Sequence, residues 1–426
     1  MKKISLITFG CKMNQAETQK ISEVFEDLGF STCFDEKDGK SDFYFINTCT
    51  VTSEAERKIR QLIRRIKRKN NSSKIIAGGC YVHTDAESIL KSGADLILGN
   101  HEKKEIQKYY NKTGIFLDKS YWLKEDKVIV PERSYGNRTR IFLPIEEGCL
   151  NACSYCRIIF ARGTKIRSLT IHDVLNNIKK YINTGYKEIV LTGINMEYFG
   201  YGLNENLEKL LFQIEKNFSK EDVRIRLTSL YPDSINENIS KLLNESNIFE
   251  KHVHFSMQHI SSNILKNMGR RYSERTIYKS VEMLRKYNEL FSITADLIVG
   301  FPGETNKDFE ILLKGVNDLK LLKTHSFRFS PRPFTKAERM KKQIPSEIKK
   351  QRIKILNKES LKTSKKYLEN FQNKKVKVLF ESKENNFYCG YDEYYIYHYS
   401  KDVLQKGFNN TIIKSVIPEG VVSNVL

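Results

Sequence analysis

Residues 139–156, TRIFLPIEEGCLNACSYC, carry an apolar strand into a loop holding three thiols, Cys149, Cys153 and Cys156. Structural zinc takes four protein ligands in a closed tetrahedron, commonly as paired C-x-x-C elements. A cubane iron–sulfur cluster has four irons, normally held by four thiolates. Three thiols leave one iron open, and an open iron can hold a substrate or cofactor. The strand before this loop is the first of six. "YKEIVLTGIN", "VRIRLTS", "KHVHFSM", "FSITADLIVGFPGE" and "HSFRFSP" follow, each separated from the next by a helical pattern or a long connection. That alternation predicts a partial, open barrel of the TIM type, with its site at the strand carboxyl ends.

Upstream, the first hundred residues alternate strands and helices in the same way. "KKISLIT" reads as a buried strand, and Ile21, Val24, Phe25 and Leu28 then repeat at helical spacing up to Gly29. "DFYFIN" is a second strand, followed by a helix with Ile59, Leu62, Ile63 and Ile66 on one face and Ser53 and Glu56 in capping-box spacing. "SKIIAGG" is a third strand, with a helix from about Asp85, and "ADLILGN" a fourth. The pattern predicts a parallel sheet with right-handed crossovers. Cys11, Cys49 and Cys80 each lie just past the carboxyl end of one of these strands, so topology gathers them at one sheet edge, where open α/β folds bind ligands. The plainer alternative, small core residues, suits Cys33 and Cys389 better.

A polar stretch from about 101 to 135 separates the two patterns. After about Gln343 comes a lysine-rich helical segment, then short aromatic and β-branched strands that predict a small β-barrel over 370–426. With 426 residues, two or three domains are expected. Eight cysteines in so long a chain are no disulfide framework; their grouping reads as metal ligation in a reducing compartment, hence the cytoplasm. Neither a secretion signal nor a membrane-length apolar run is found.

The net charge is +21 in a chain rich in Lys throughout, so local density is the better guide. Arg57, Lys58, Arg60, Arg64, Arg65, Lys67, Arg68 and Lys69 occur without an acid among them, and residues 336–377 hold fifteen bases against four acids. A solvated face explains either run alone, but two runs beside metal chemistry point to RNA.

The C-x3-C-x2-C spacing of "GCLNACSYC", placed after a first barrel strand, resembles the radical S-adenosylmethionine superfamily. There, the amino and carboxylate groups of the cofactor's methionine end occupy the open iron, and reduction releases a 5′-deoxyadenosyl radical. The chain as a whole resembles the methylthiotransferase family, with "ARG" at 161–163, "MGRRY" at 268–272, "GFPGET" at 300–305 and, in "CGYDEYYIYH", a pattern similar to TRAM domains. The resemblance implies a three-cysteine α/β domain over 1–115, a radical core of partial (β/α)6 form over 135–366 and a TRAM-like β-barrel over 367–426. It implies two [4Fe-4S] clusters: an auxiliary, sulfur-delivering one on Cys11, Cys49 and Cys80, and a radical-generating one on Cys149, Cys153 and Cys156 with S-adenosylmethionine at its open iron. The implied substrate is a tRNA anticodon stem-loop, with an electron donor and a sulfur source as further partners and no membrane.

"FGCKMNQAETQ" and "INTCTVTSEAERKIRQLIRR" resemble the branch that adds a methylthio group to carbon 2 of N6-threonylcarbamoyladenosine. The alternatives are isopentenyladenosine tRNA, a ribosomal protein, or a non-catalytic zinc-bearing RNA-binding protein. An unactivated aromatic C–H offers no acidic proton to a base, so a radical is needed. Phe160, His259, Ile260 and Phe334 depart from the family wording, Phe334 standing where Gly is usual, and bear on pocket shape and substrate choice. Asp296 and Glu304 are candidates for cofactor contact or, for Glu304, a helix cap. "GFPGET" lacks the G-K-[ST] ending of a phosphate loop, and none of the eight histidines is expected as a ligand. Tyrosines of 388–399 are split between base stacking and core.

Overall fold

Near-continuous apolar strands need cover on both faces, and the first hundred residues meet that need with a parallel sheet between two helical layers. The structure is a computed structural model that describes residues 1–118, 120, 126–404 and 407–426. Strands β1 (Lys3–Thr8), β2 (Ser31–Phe34), β3 (Phe43–Thr48), β4 (Lys74–Gly79), β5 (Leu96–Leu98) and β6 (Gly114–Phe116) lie in the order β2-β1-β3-β4-β5-β6, all parallel. One face buries Ile4, Leu6, Phe43 and Phe45 against Ile21 and Phe25 of α1 (Lys12–Asp27). The other buries Tyr44, Ile46 and Ile75 against Ile59, Ile63 and Ile66 of α2 (Ser53–Lys69), and Val82 and Ile89 of α3 (Val82–Leu90) join that layer. Each isoleucine fully buried there contributes about 1.5–3 kcal/mol. With α1 and α2 on opposite faces, the switch in winding falls between β1 and β3, the crevice where such sheets bind ligands.

Three local expectations are corrected. Short β2 and β6 were not anticipated, and half-buried Cys33 belongs to the edge strand β2 rather than to the core. The third helix starts at Val82, and Asp85 is a non-helical kink inside it. Ser53 and Glu56 form no capping box: Thr52 is the N-cap, accepting from the Ala55 amide at 3.2 Å, and Glu56 is engaged elsewhere.

By contacts the chain divides into two units, the first being Met1–Thr170, Thr192–Asn204 and Arg332–Thr335 and the second the remainder. The first therefore also holds β7 (Arg140–Glu147), α4 (Ile158–Arg162) and β8 (Arg167–Ser168), with β7 and β8 antiparallel.

The second unit carries the repeating βα pattern onward. It contains α5 (Ile171–Asn183), most of β9 (Glu188–Gly193), α6 (Leu207–Phe218), β10 (Arg224–Leu227), α7 (Glu237–Glu245), β11 (His252–Gln258), α8 (Ser262–Met268), α9 (Glu274–Tyr287), β12 (Ser292–Val299), α10 (Asn306–Asp318) and β13 (Lys323–Arg328). β9 pairs with β10, and β11, β12 and β13 form a parallel sheet. All six barrel strands read from the sequence, β7 and β9 to β13, are strands. The lysine-rich segment is the helix α11 (Ser346–Glu369). Beyond it β14 (Lys375–Glu384), β15 (Phe387–Tyr391), β16 (Tyr397–Ser400), β17 (Phe408–Ile417) and β18 (Gly420–Val425) close a barrel. Val376, Val378, Ile396, Ile413 and Val421 form its core with Tyr367, Leu368 and Phe371 at the end of α11. The tyrosines between 388 and 399 are all half-buried, whereas Cys389, Gly390, Asp392, Ile396 and His398 are the buried residues of that segment. Among the described residues no helix is long and apolar enough to cross a membrane.

Candidate functional site

The six thiols singled out by the sequence all lie in the first unit. Cys11, Cys49 and Cys80 follow β1, β3 and β4 by one to three residues. Gly10 has φ +109°, and a Cβ on it would stand 3.0 Å from the Cys49 Cβ and 3.1 Å from its Sγ, so only glycine lets the Cys11 turn approach this closely. Gly148 repeats the device before Cys149: at φ +113° an added Cβ would collide with the Lys165 carbonyl. Backbone amides point at sulfur in both sets, Val51 to Cys49 at 3.4 Å, Asn151 to Cys149 at 3.4 Å and Ile158 to Cys156 at 3.5 Å. Burial pushes the Cys49 thiol up to about 12, with Cys80 and Cys11 adding to the rise, and the Cys149 thiol up to about 11. Without a metal these groups are neutral, and ligation removes their protons.

What joins the two sets is Arg162, of the "ARG" motif, whose side chain is fully buried. Its Nε donates to Cys80 Sγ at 3.4 Å and its Nη2 to Asn14 Oδ1 at 2.8 Å and Glu17 Oε2 at 3.0 Å. Its Nη1 binds Glu17 Oε1 and, at 2.9 Å, Glu147 Oε1. Asn14 and Glu17 lie on the helix that starts after Cys11, and Glu147 stands two residues before Cys149, so one guanidinium ties both thiol loops together. Burial alone would raise Glu17, but Arg162 and Lys103, whose Nζ is 2.7 Å from Glu17 Oε2, hold it down to about 2. Glu147 is likewise held well below the usual range, against burial, by Lys104, Arg162 and Arg167.

A second junction centres on Glu56. Its Oε1 accepts from Thr50 Oγ1 at 2.7 Å, from Arg157 Nη1 at 3.1 Å and from Arg332. Thr50 follows Cys49 and Arg157 follows Cys156, so this carboxylate again links the two loops. The spacing that suggested a capping box belongs to this junction. Phe160 and Phe334, two of the four departures, touch, with ring centroids 6.1 Å apart. His259 and Ile260 are buried in the second unit, and burial lowers His259 to about 3, so it is a neutral packed residue there. Glu304 serves a turn, accepting from the Gly300 and Phe301 amides at 2.5 and 3.1 Å and from Arg352 at 2.8 Å. Asp296 Oδ2 lies 3.3 Å from His254 Nε2.

The donor sets fit iron–sulfur clusters. Each offers three thiols with amides directed at sulfur, the hydrogen bonding that such clusters use. Among the described residues no three His, Cys, Asp or Glu gather as ligands of one metal ion. Ligands to separate irons of a cubane need not converge on one point. Beside Cys149, Glu146 Oε1 and Asn195 Nδ2 are buried without a hydrogen-bond partner among the described residues. Glu146, whose carboxyl burial pushes well above the usual range, and the Asn195 carboxamide, which also reaches towards the Cys149 thiol, are the polar groups there that would meet the methionine end of a bound cofactor. Asn195 comes from "LTGIN", and the Glu146 Oε2 accepts from its amide at 2.8 Å. On the outer side of α2, Lys58, Arg64, Arg65, Lys67 and Arg68 line, with Lys37, a concavity of about 910 Å3.

Residues 3–99 match the family described as uncharacterized protein family UPF0004, and residues 143–315 match the radical SAM superfamily. A threonylcarbamoyladenosine tRNA methylthiotransferase MtaB of Thermotoga maritima is 36% identical over 99% of this chain and 97% of its own length. The chain belongs to the methylthiotransferase family. The Bacillus subtilis methylthiotransferase MtaB is 30% identical over 98% of this chain and 95% of its own. A tRNA-2-methylthio-N(6)-dimethylallyladenosine synthase of Syntrophomonas wolfei is 32% identical over 89% and 86%. Among solved structures, the radical S-adenosylmethionine methyltransferase TsrM of Kitasatospora setae superposes with TM-score 0.56 at 14% identity over 79% of this chain and 75% of that one, a likeness of fold.

Sequence reading found the thiols of this methylthiotransferase and missed Asn14, Glu17, Lys103 and Glu147. Their only signal was polarity at positions the fold buries, and their partners are far away in the chain.

Proposed function

We propose that this methylthiotransferase adds a methylthio group to carbon 2 of N6-threonylcarbamoyladenosine next to the anticodon of tRNA. Cys11, Cys49 and Cys80 hold the auxiliary [4Fe-4S] cluster; Cys149, Cys153 and Cys156 hold the second, with S-adenosylmethionine at its open iron. The functional domains are 1–115, 135–366 and 367–426. The observation that carries the reading is Arg162, which touches Cys80 and the glutamate before Cys149 at once: a sulfur donor and a radical source must work on one substrate atom, and a shared guanidinium keeps their loops in fixed register. When bound, the clusters and S-adenosylmethionine supply sulfur, a methyl group and one-electron chemistry.

The protein's own residues position and shield. Glu17 and Glu147, ionised, hold Arg162; Glu56 holds Arg157 and Arg332 beside Cys156 and Cys49. Glu146 and Asn195 orient the cofactor's methionine end, and burial of Cys49 and Cys149 keeps water from the thiolates. The basic concavity on α2 meets RNA phosphates, and an unpaired loop adenosine is more cheaply splayed out than one in a duplex. An electron donor and a sulfur source complete the reaction in the cytoplasm. The wording around Cys11 and Cys49 and the 36% relative favour threonylcarbamoyladenosine over the dimethylallyl nucleoside.

Mass spectrometry of tRNA nucleosides from cells with and without the gene, and from a Cys153→Ala strain, tests this. Loss of only 2-methylthio-threonylcarbamoyladenosine in both altered strains is expected. Persistence of every methylthio nucleoside overturns the tRNA assignment.

A further inference from the structure

The residue at 334 is the most unusual in the first unit. It is a phenylalanine at φ +73°, a conformation that glycine adopts freely and a bulky side chain adopts only under strain. Its side chain is 60% exposed, so no core burial repays that strain. The segment is nevertheless pinned: Arg332 binds Glu56 and donates to Thr50 Oγ1 at 3.3 Å, and Thr335 Oγ1 donates to the Arg332 carbonyl at 2.7 Å. Strain that the surroundings impose on an exposed residue clusters at binding sites.

Two neighbours say what the ring faces. Phe160, from the helix just after Cys156, meets it at 6.1 Å between centroids and extends the aromatic surface. The Arg157 guanidinium lies 5.8 Å from the Phe334 centroid, polarising the ring. Arg157 directly follows Cys156, so the patch adjoins the thiol loop where the reacting carbon must come. Phe160 and Phe334 are separate departures from the family wording, and their contact makes them one feature.

We infer that Phe334, backed by Phe160 and Arg157, is a stacking platform for the target adenine of the RNA loop. The inference rests on the reading of this protein as a tRNA enzyme. An aromatic face takes any base by its π surface and leaves the base edge open, which leaves carbon 2 accessible to chemistry.

The test is binding of the cluster-loaded, full-length protein to a synthetic anticodon stem-loop carrying N6-threonylcarbamoyladenosine, and to the same loop with an abasic residue at that position. Wild type should lose about five- to hundredfold in affinity on the abasic loop, the range for one stacked base. Phe334→Gly should show the same loss on the intact loop and little further loss on the abasic one, a non-additivity that marks direct contact. Phe334→Tyr should bind within about twofold of wild type. The salt dependence should be the same for all three, since no phosphate contact is changed. Phe334→Gly should melt no lower than wild type, because the strain is relieved. Equal affinity of Phe334→Gly and wild type for the intact loop, or fully additive losses, overturns the platform alone. If wild type binds neither loop, the tRNA reading falls and takes the platform with it.

Discussion

Among the described residues two arginines are buried completely, one in each unit, and each sits between two glutamates. Arg162 lies among Glu17 and Glu147 at the carboxyl end of the first sheet; Arg226 binds Glu188 at 2.9 Å and Glu250 at 2.7 Å near the amino ends of β9 to β11. Their surroundings differ in charge. Glu17 also has Lys103, and Glu147 also has Lys104 and Arg167, so both carboxyls are held low. Around Arg226, burial and the nearby Glu188 push Glu250 up to about 8 against the arginine's own pull. Arg226 leaves Nε and Nη1 without a hydrogen-bond partner among the described residues and instead lies under the Tyr395 ring, 4.0 Å from its centroid. Tyr391 stacks on Tyr395 at 4.5 Å. One arginine is locked by ionised partners next to thiols. The other is a plug that ties β9 to β11 to the small barrel, its countercharge coming from Glu188 while the protonated Glu250 accepts a hydrogen bond and Tyr395 offers an aromatic face.

Breaking either knot should separate these roles. The largest effect is expected from Arg162→Met, which leaves two ionised carboxylates buried: about 3–5 kcal/mol lost in denaturant unfolding, with iron per chain falling and product formation abolished. Arg226→Met strands only one full charge, so about 3 kcal/mol is expected, while iron content and turnover per folded molecule stay at the wild-type level. Full iron loading in Arg162→Met, or iron loss in Arg226→Met, would erase the distinction.

The pH dependence should run in opposite directions. Glu250 has a native value of about 8 against 4.5 free, so the native state holds the extra proton between these values and stability falls as pH rises from 4.5 to 8. Glu17, at about 2, contributes stability that is fully present above 4.5 and is lost as pH falls towards 2. Denaturant midpoints of wild type and Glu250→Gln, measured from pH 4.5 to 8, should diverge with rising pH. A parallel pair of curves would show that Glu250 stays ionised. The smallest effect is Glu250→Gln at pH 4.5, expected within about 0.5 kcal/mol of wild type, since at that pH the amide replaces an acid that is neutral in the native state and the unfolded chain has only begun to release its proton.

The positions of the thiols were legible because a strand's apolar run ends where its ligand loop begins, and Cys11, Cys49 and Cys80 each fall at such an end. The six barrel strands and the long α11 were legible for the same reason, from regular periodicity. Short β2 and β6 were not, because three or four residues at a sheet edge carry too little pattern. Glu56 was misread because a capping box and a buried ion pair place a glutamate at the same spacing; only Arg157 and Arg332, 101 and 276 residues away, decide between them. Glu17, 145 residues from Arg162, is invisible alone: it reads as an ordinary surface charge, and the "ARG" motif marks Arg162 without pointing to its partner.

The reach of Glu56 to Arg332 also sets an order of events during synthesis. Domains form from the amino terminus as the chain emerges. All six thiols have been added to the chain by residue 156 and Arg162 six residues later, yet the second guanidinium on Glu56 is added only when roughly three-quarters of the chain has been made. The Arg162 tie between the two thiol loops therefore has all its partners early, whereas the Glu56 junction is completed only by a late segment of the chain.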